Sequence, residues 1–161
     1  MGISDWLRVF RTLHERAKTG GLQKEDADAY RAGCDELARA LIAAQKLTLR
    51  PGESPLHALR VARAVQVDLA AGDWQARVTT VDLGVGGFSA LLAKGPPANE
   101  DLRCTMKVPG GVPLEATVVT SETKQHPGTV RAAFAFKKLG DPQRATLELL
   151  VIDTALAQIA A

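Results

Sequence analysis

The sequence predicts an α+β protein in which a small six-stranded antiparallel β-barrel follows a helical hairpin and precedes a C-terminal helix. Apolar residues recur at helical spacing up to about residue 46 and again after residue 141, but alternate with polar residues between 61 and 136. Short turns rich in glycine and proline separate the alternating segments. Six short strands joined by tight turns are typical of a closed or nearly closed barrel.

The first 50 residues are predicted to form an αα-hairpin. Its first helix, residues 4–19, ends at a Gly-Gly pair and carries four apolar residues at helical spacing: Trp6, Leu7, Phe10 and Leu13. The second helix, residues 24–46, has apolar positions three and four apart, at Tyr30, Cys34, Leu37, Leu41 and Ala44. Two interpretations stay open. The hairpin packs on itself and on the main domain, or it forms a dimer or docks a partner protein.

A linker is expected over residues 48–55, because Pro51, Gly52 and Pro55 interrupt the helical pattern. The composition changes there, from a helical pattern rich in alanine and leucine to alternating strands. The sequence therefore divides into a helical hairpin extension, residues 1–50, and a β-barrel with its C-terminal helix, residues 56–161.

The six strands are predicted at residues 61–69, 74–83, 88–93, 102–108, 112–123 and 130–136. Asp141 and Pro142 then begin the last helix, as its N-cap and its first-turn proline. That helix carries two apolar stripes: Leu147, Leu150 and Val151 in one, and Leu149, Ile152, Leu156 and Ile159 in the other. Together they are wider than one flank of a small barrel needs. Either the hairpin covers this helix or one stripe meets another chain, and we favour a core shared with the hairpin.

The composition argues against several classes of function. A net charge of +2 does not indicate a nucleic-acid partner. With 4% aromatic residues, binding of single-stranded nucleic acid by base stacking is not expected. The N terminus has no signal-peptide pattern, and no apolar run approaches the ~20 residues of a membrane span. Cys34 and Cys104 fall on apolar faces and are expected to be buried free thiols. We therefore expect a cytoplasmic protein without membrane insertion.

No catalytic group is predicted. The three histidines, His14, His57 and His126, lack the spacing of a metal site and are expected at the surface. Ser89 and Ser121 lack the flanking residues of a nucleophile elbow, and no glycine-rich loop opens a helix as a phosphate-binding loop does. The sequence therefore predicts neither an enzyme nor a bound cofactor or metal.

One turn stands out, between the second and third predicted strands: Asp82-Leu83-Gly84-Val85-Gly86-Gly87. Its glycines allow positive φ and let the backbone or a flat ligand approach closely. The carboxylate of Asp82 can accept hydrogen bonds from the donor edge of a guanine, or it can cap its own turn. Both interpretations of these residues stay open.

The barrel, its C-terminal helix, an arginine ahead of the first strand and this Asp-x-x-x-x-Gly turn together resemble the PilZ domain, a bacterial receptor module for the second messenger cyclic di-GMP. The resemblance covers residues 56–160. In that family an Arg-x-x-x-Arg and an Asp/Asn-x-Ser-x-x-Gly bind the ligand. By this resemblance Arg60 matches the second arginine, Asp82 the acidic residue and Gly87 the last glycine. Leu56 stands at the first arginine, and Gly84 stands at the serine.

The resemblance implies a regulatory protein of cyclic di-GMP signalling, with motility, surface polysaccharide or virulence as outputs. One hypothesis is a non-enzymatic adaptor with a degenerate ligand site, which acts through a protein partner or a homodimer formed by its helices. The other is a receptor that binds cyclic di-GMP through Arg60, Arg63 and Asp82, with Gly84 and Gly87 as bare backbone, and so repositions the hairpin. Since a charged hydrogen bond contributes roughly 1.5 to 3 kcal/mol, the missing arginine and hydroxyl together weaken binding by about two orders of magnitude or more.

Overall fold

The structure is a computed structural model and describes residues 3–45, 51 and 54–159. Its helices are α1 (Ile3–Lys18), α2 (Lys24–Ala44), the single turn α3 (Pro55–Ala58) and α4 (Asp141–Ile159). Its strands are β1 (Val61–Ala62), β2 (Gln66–Ala71), β3 (Trp74–Leu83), β4 (Gly87–Leu92), β5 (Leu102–Met106), β6 (Leu114–His126) and β7 (Thr129–Lys137).

Strands β2 to β7 form a closed antiparallel barrel in the order β3, β2, β5, β6, β7, β4. Strand β4 pairs back onto β3, for example Leu83 with Phe88, and this pairing closes the ring. The short β1 adds to the end of β3, where Val61 lies opposite Leu83. The predicted fold class is therefore confirmed: a six-stranded barrel with N-terminal helices and a C-terminal helix.

The first predicted strand, 61–69, is wrong as a single element, because the chain leaves the ladder between β1 and β2. The buried side chain of Thr80 occupies the break. Its hydroxyl accepts a hydrogen bond from the Val65 amide at 2.9 Å and donates one to the Arg63 carbonyl. The Thr80 amide also donates to the Val65 carbonyl at 3.0 Å, so a backbone bond and a side-chain hydroxyl together hold the chain where the ladder is interrupted. The turn α3, just ahead of β1, was also not predicted.

The barrel core and the hairpin core meet along α4. In the barrel, the Phe88 and Phe134 rings lie 5.2 Å apart, and Leu147 and Leu150 of α4 pack against the same cluster. The later part of α4 belongs to a second cluster with the hairpin, formed chiefly by Phe10, Leu37, Ile42, Leu56, Leu59, Val151, Ile152 and Leu156. The core shared with the hairpin agrees with the favoured prediction, although Val151 packs with the hairpin group and not with Leu147 and Leu150.

A buried polar network joins α1, α2 and α4, and it shows that the predicted surface position of His14 is wrong. Only 2% of His14 is exposed, because α1 turns this face toward the core. Its Nδ1 lies 2.7 Å from the Tyr30 hydroxyl and its Nε2 lies 3.2 Å from Asp153, which also accepts from Lys18 at 2.9 Å. Burial lowers the pKa of His14. In the neutral ring one nitrogen accepts from Tyr30 and the other donates to Asp153.

Both cysteines are free and buried, as the sequence predicts. Burial raises the pKa of Cys34 to about 11 and that of Cys104 to about 12. Helix α2 ends at Ala44, and its predicted last residue, Lys46, lies outside the described residues together with most of the predicted linker. Among the helices that the structure describes, none is long and apolar enough to cross a membrane.

Candidate functional site

A β-bulge near the end of β3 turns Asp82 out of the barrel. Along this strand the even-numbered residues from Trp74 to Thr80 face inward, so continued alternation would carry Asp82 into the core. The pairing with β4 instead shifts by one residue between Thr80 and Asp82. As a result Leu83 is fully buried, while the Asp82 side chain keeps 25% of its surface exposed. The bulge is therefore what presents the carboxylate outward.

The glycine turn after Asp82 is closed by a hydrogen bond from the Gly84 amide to the Gly87 carbonyl at 2.8 Å. The turn glycines do not adopt the positive φ that the sequence suggested; they are needed for close approach. A Cβ on Gly87 would overlap the Phe134 carbonyl oxygen of β7. A Cβ on Gly86 would lie 2.8 Å from the His57 ring.

Gly84, at the position of the family's serine, is packed beneath the arginine that precedes β1. A Cβ on Gly84 would lie 2.6 Å from the Leu59 carbonyl oxygen and 2.8 Å from the Cδ of Arg60. The first of these atoms belongs to the backbone and cannot swing aside. A serine at this position therefore requires the chain around Arg60 to move.

Two guanidinium groups donate hydrogen bonds to the Asp82 carboxylate, one to each oxygen. Arg60 donates to Oδ1 at 3.2 Å, and Arg131 of β7 donates to Oδ2 at 3.1 Å. The structure thus brings together the predicted Arg60, Asp82 and Gly84, with Gly87 at the end of the same turn. Sequence reasoning missed Arg131, because only the pairing of β4 with β7 brings it to this side of the barrel.

The position of the family's first arginine has a different role here. Leu56 lies in the turn α3 and is 6% exposed, within the core that α1, α2 and α4 share. Its side chain belongs to the hairpin contact and not to the surroundings of Asp82. An arginine at this position would place a charge among apolar side chains, which is strongly unfavourable without a partner.

Arg63, the third predicted arginine, is not part of the Asp82 cluster. Its carbonyl accepts from Thr80, but within the described chain its guanidinium makes no hydrogen bond or ion pair. Nor do the described residues contain a group of three His, Cys, Asp or Glu side chains that could hold a metal ion.

A groove of about 300 Å³ adjoins Arg131 on the outer face of β4, β6 and β7. Six residues line it: Ser89, Glu122, Lys124, His126, Arg131 and Ala133. A larger open depression, of about 1180 Å³, crosses β2, β3, β5 and β6 and includes none of the predicted site residues. The smaller groove therefore adjoins the candidate site through Arg131.

Comparison with known proteins gives a family and a fold. A sequence model of the PilZ domain matches residues 57–153, more than half of the chain. The structure of the Bacillus subtilis inhibitor of motility (MotI/DgrA) is similar, with a TM-score of 0.55, 16% identity, and coverage of 63% of this chain and 50% of that chain. YcgR from Escherichia coli in complex with cyclic di-GMP is similar with a TM-score of 0.53 and 17% identity, over 63% of this chain and 46% of that chain.

The match spans about half the length of these two proteins, and at these identities it shows the fold alone. No protein with a curated description matches the chain.

Proposed function

Because the chain belongs to the PilZ domain family, we propose that it is a non-enzymatic, cytoplasmic adaptor of bacterial cyclic di-GMP signalling that acts mainly through protein contacts. One observation supports this most directly: Leu56, at the position of the family's first ligand arginine, is buried in the core that holds the hairpin. Where the family has an arginine that binds the ligand, this chain has a leucine that packs between the hairpin and the barrel.

The state of Asp82 supports the same proposal. Both of its carboxylate oxygens accept from arginines of the chain itself. A guanine edge that approaches Asp82 must share its two oxygens with these arginines, and no serine hydroxyl at position 84 adds a further contact. Ligand binding through the family's motif therefore starts from a satisfied group and a missing arginine, which favours weak affinity.

The helical hairpin is the part of the chain that we propose contacts the partner. We propose that residues 1–50 form an extension to the domain of residues 56–161, and that the extension presents a surface to a partner protein or to a second copy. On α1 the exposed apolar residue is Val9, at 48%, whereas the stacked rings of Trp6 and Phe10, 5.3 Å apart, belong to the hairpin core. Because the Bacillus subtilis neighbour is an inhibitor of motility, motility is the first output to examine.

Size-exclusion chromatography with light scattering at micromolar concentration tests this proposal, together with capture of partners by the 161-residue chain. We expect a dimer or a stable complex, and a V9E variant, which puts a charge on the exposed face of α1, should weaken it. The matched control is V112E, at an 84% exposed valine in a loop. A chain that stays monomeric, captures no partner and binds cyclic di-GMP tightly would contradict the adaptor.

A second candidate is a cyclic di-GMP receptor that uses Arg60, Arg63 and Asp82. The observation in its favour is that Arg60 also connects to the hairpin, since the side-chain amide of Gln45, the C-cap of α2, donates to the Arg60 carbonyl at 3.1 Å. A ligand that draws Arg60 away from Asp82 would act on this contact. Low-micromolar binding that an R60A variant abolishes would favour the receptor over the adaptor.

A further inference from the structure

Strand β6 extends past β5 and leaves part of one edge without a partner strand in the portion of the chain that the structure describes. Residues 114–118 of β6 pair with β5 on one side. Pairing with β7 on the other side continues to His126. The loop after β4 reaches the strand at Thr120, whose hydroxyl donates to the Pro97 carbonyl at 3.0 Å. Residues 121–126, which we call the β6 edge, are all exposed.

The β6 edge has backbone groups to offer to another strand. Consecutive residues of an antiparallel strand direct their amide and carbonyl groups to opposite sides, so about half of residues 121–126 direct theirs away from β7. Apart from the ladder with β7, these groups make no hydrogen bond within the described residues. Such an edge is a template for an added strand.

The charges along the β6 edge are complementary to a second copy of itself. Glu122 and Lys124 lie two positions apart, so their side chains leave the same face of the strand. Neither makes an ion pair within the described residues. When two copies of this segment pair antiparallel about Thr123, Glu122 of each copy lies directly opposite Lys124 of the other.

The neighbours of these two residues within the chain favour such a contact. Lys124 lies opposite Arg131 in the ladder with β7, so two like charges are paired there, which is unfavourable by itself. Glu122 lies opposite Ala133, which offers it no cation. A second copy on the free edge places a carboxylate beside Lys124 and an ammonium beside Glu122. A two-fold axis forms both opposite-charge pairs at once.

We propose that two copies of this chain pair antiparallel through their β6 edges, with Thr123 opposite Thr123 of the second copy. The charges select this register, because an axis at Glu122 or at Lys124 would place like charges opposite each other. Six residues a side are far fewer than the roughly 20–30 a side of a stable interface, so we expect a weak, reversible dimer. The inference goes beyond the adaptor proposal and does not depend on its α1 surface.

Sedimentation velocity of the 161-residue chain, from low to high micromolar concentration, tests the pairing. E122K and K124E each place like charges opposite each other and should weaken dimerisation at least several-fold. The double variant E122K/K124E exchanges the two charges and should restore the wild-type affinity. E115K is the matched control, because it makes the same change in net charge on β6 where β5 already occupies the edge.

Cross-linking tests the register. T123C places a thiol next to its own copy at the two-fold axis, while the buried Cys34 and Cys104 do not compete. Under mild oxidation T123C should form a covalent dimer several-fold faster than V112C, at an 84% exposed loop position. Equal rates would overturn the inference.

Three sedimentation results would also overturn it: a monomer at every concentration, equal effects of E122K and E115K, or a double variant as weak as the single ones. If V9E alone separates the copies, α1 forms the dimer. The adaptor proposal then stands and the pairing of β6 edges does not.

Discussion

Arg60 lies across Gly84, so that a Cβ on residue 84 would come within 2.8 Å of the Arg60 Cδ. This contact joins the two parts of the family's motif in a way that excludes the family's serine. With glycine at position 84, Arg60 can lie flat over the turn and reach Asp82 at 3.2 Å. The missing hydroxyl and the arginine-aspartate pair are thus one structural feature.

The substitution G84S tests this contact. Because the serine Cβ would meet the Leu59 carbonyl as well as Arg60, we expect G84S to lower the free energy of unfolding by about 1–3 kcal/mol, the range of overpacking. Denaturation in urea measures it. The matched control is G95S, at a glycine where an added Cβ meets nothing within 4 Å. Equal stability of the two variants would show that position 84 has room for a side chain.

The substitution L56R restores the family's first arginine. Since Leu56 lies in the core between hairpin and barrel, we expect L56R to destabilise the chain by about 3–5 kcal/mol, as for a lost core side chain or an uncompensated buried charge. V112R adds the same charge at an exposed valine and should change stability by less than about 0.5 kcal/mol. A stable L56R variant that gains affinity for cyclic di-GMP would contradict the structural role of Leu56.

Replacing Thr80 tests the break between β1 and β2. In T80V the Val65 amide and the Arg63 carbonyl lose their buried hydroxyl partner, so we expect a loss of about 2–4 kcal/mol in the free energy of unfolding. T79V, at the exposed neighbour on the same strand, is the control. If both valine variants unfold at the same urea concentration, the hydroxyl does not hold the break.

Because His14 is buried, we expect the stability of the chain to fall at acidic pH. Burial lowers its folded-state pKa below the ordinary 6.5, so the unfolded chain binds the proton more readily. The contribution of neutral His14 to the free energy of unfolding is fully present above pH 6.5. It is lost as the pH falls from 6.5 toward the folded-state pKa. We expect the urea midpoint of the wild type to fall between pH 7 and pH 5, and H14Q to show a smaller fall. H126Q, at an exposed histidine, should keep the wild-type slope; an equal slope in H14Q would exclude His14 as the source.

The fold was predictable because it follows from local patterns, whereas much of the site depends on pairing between distant strands. Alternation and turn residues marked the barrel, and helical spacing marked α1, α2 and α4. The bulge was not predicted, because Val81 and Leu83 are both apolar and share one phase of the alternation, and only the structure shows that Val81 is exposed and Leu83 is buried.

Two features of the site had no local signal. Arg131 lies close to Asp82 only because β4 pairs with β3 on one side and with β7 on the other. Leu56 looked like a vacant ligand position, because nothing in the sequence shows that the hairpin folds back over α3 and buries it. His14 was misjudged for the same reason, since its partners Tyr30 and Asp153 come from two other helices.

The most direct test of the adaptor proposal is isothermal titration calorimetry of the 161-residue chain with cyclic di-GMP, at moderate salt so that nonspecific attraction of the phosphates is screened. With Leu56 in the core and both oxygens of Asp82 occupied, we expect no saturable binding in the low-micromolar range, in the wild type or in R60A. Saturable heat with a low-micromolar or tighter Kd that R60A abolishes would contradict the account and identify the chain as a receptor.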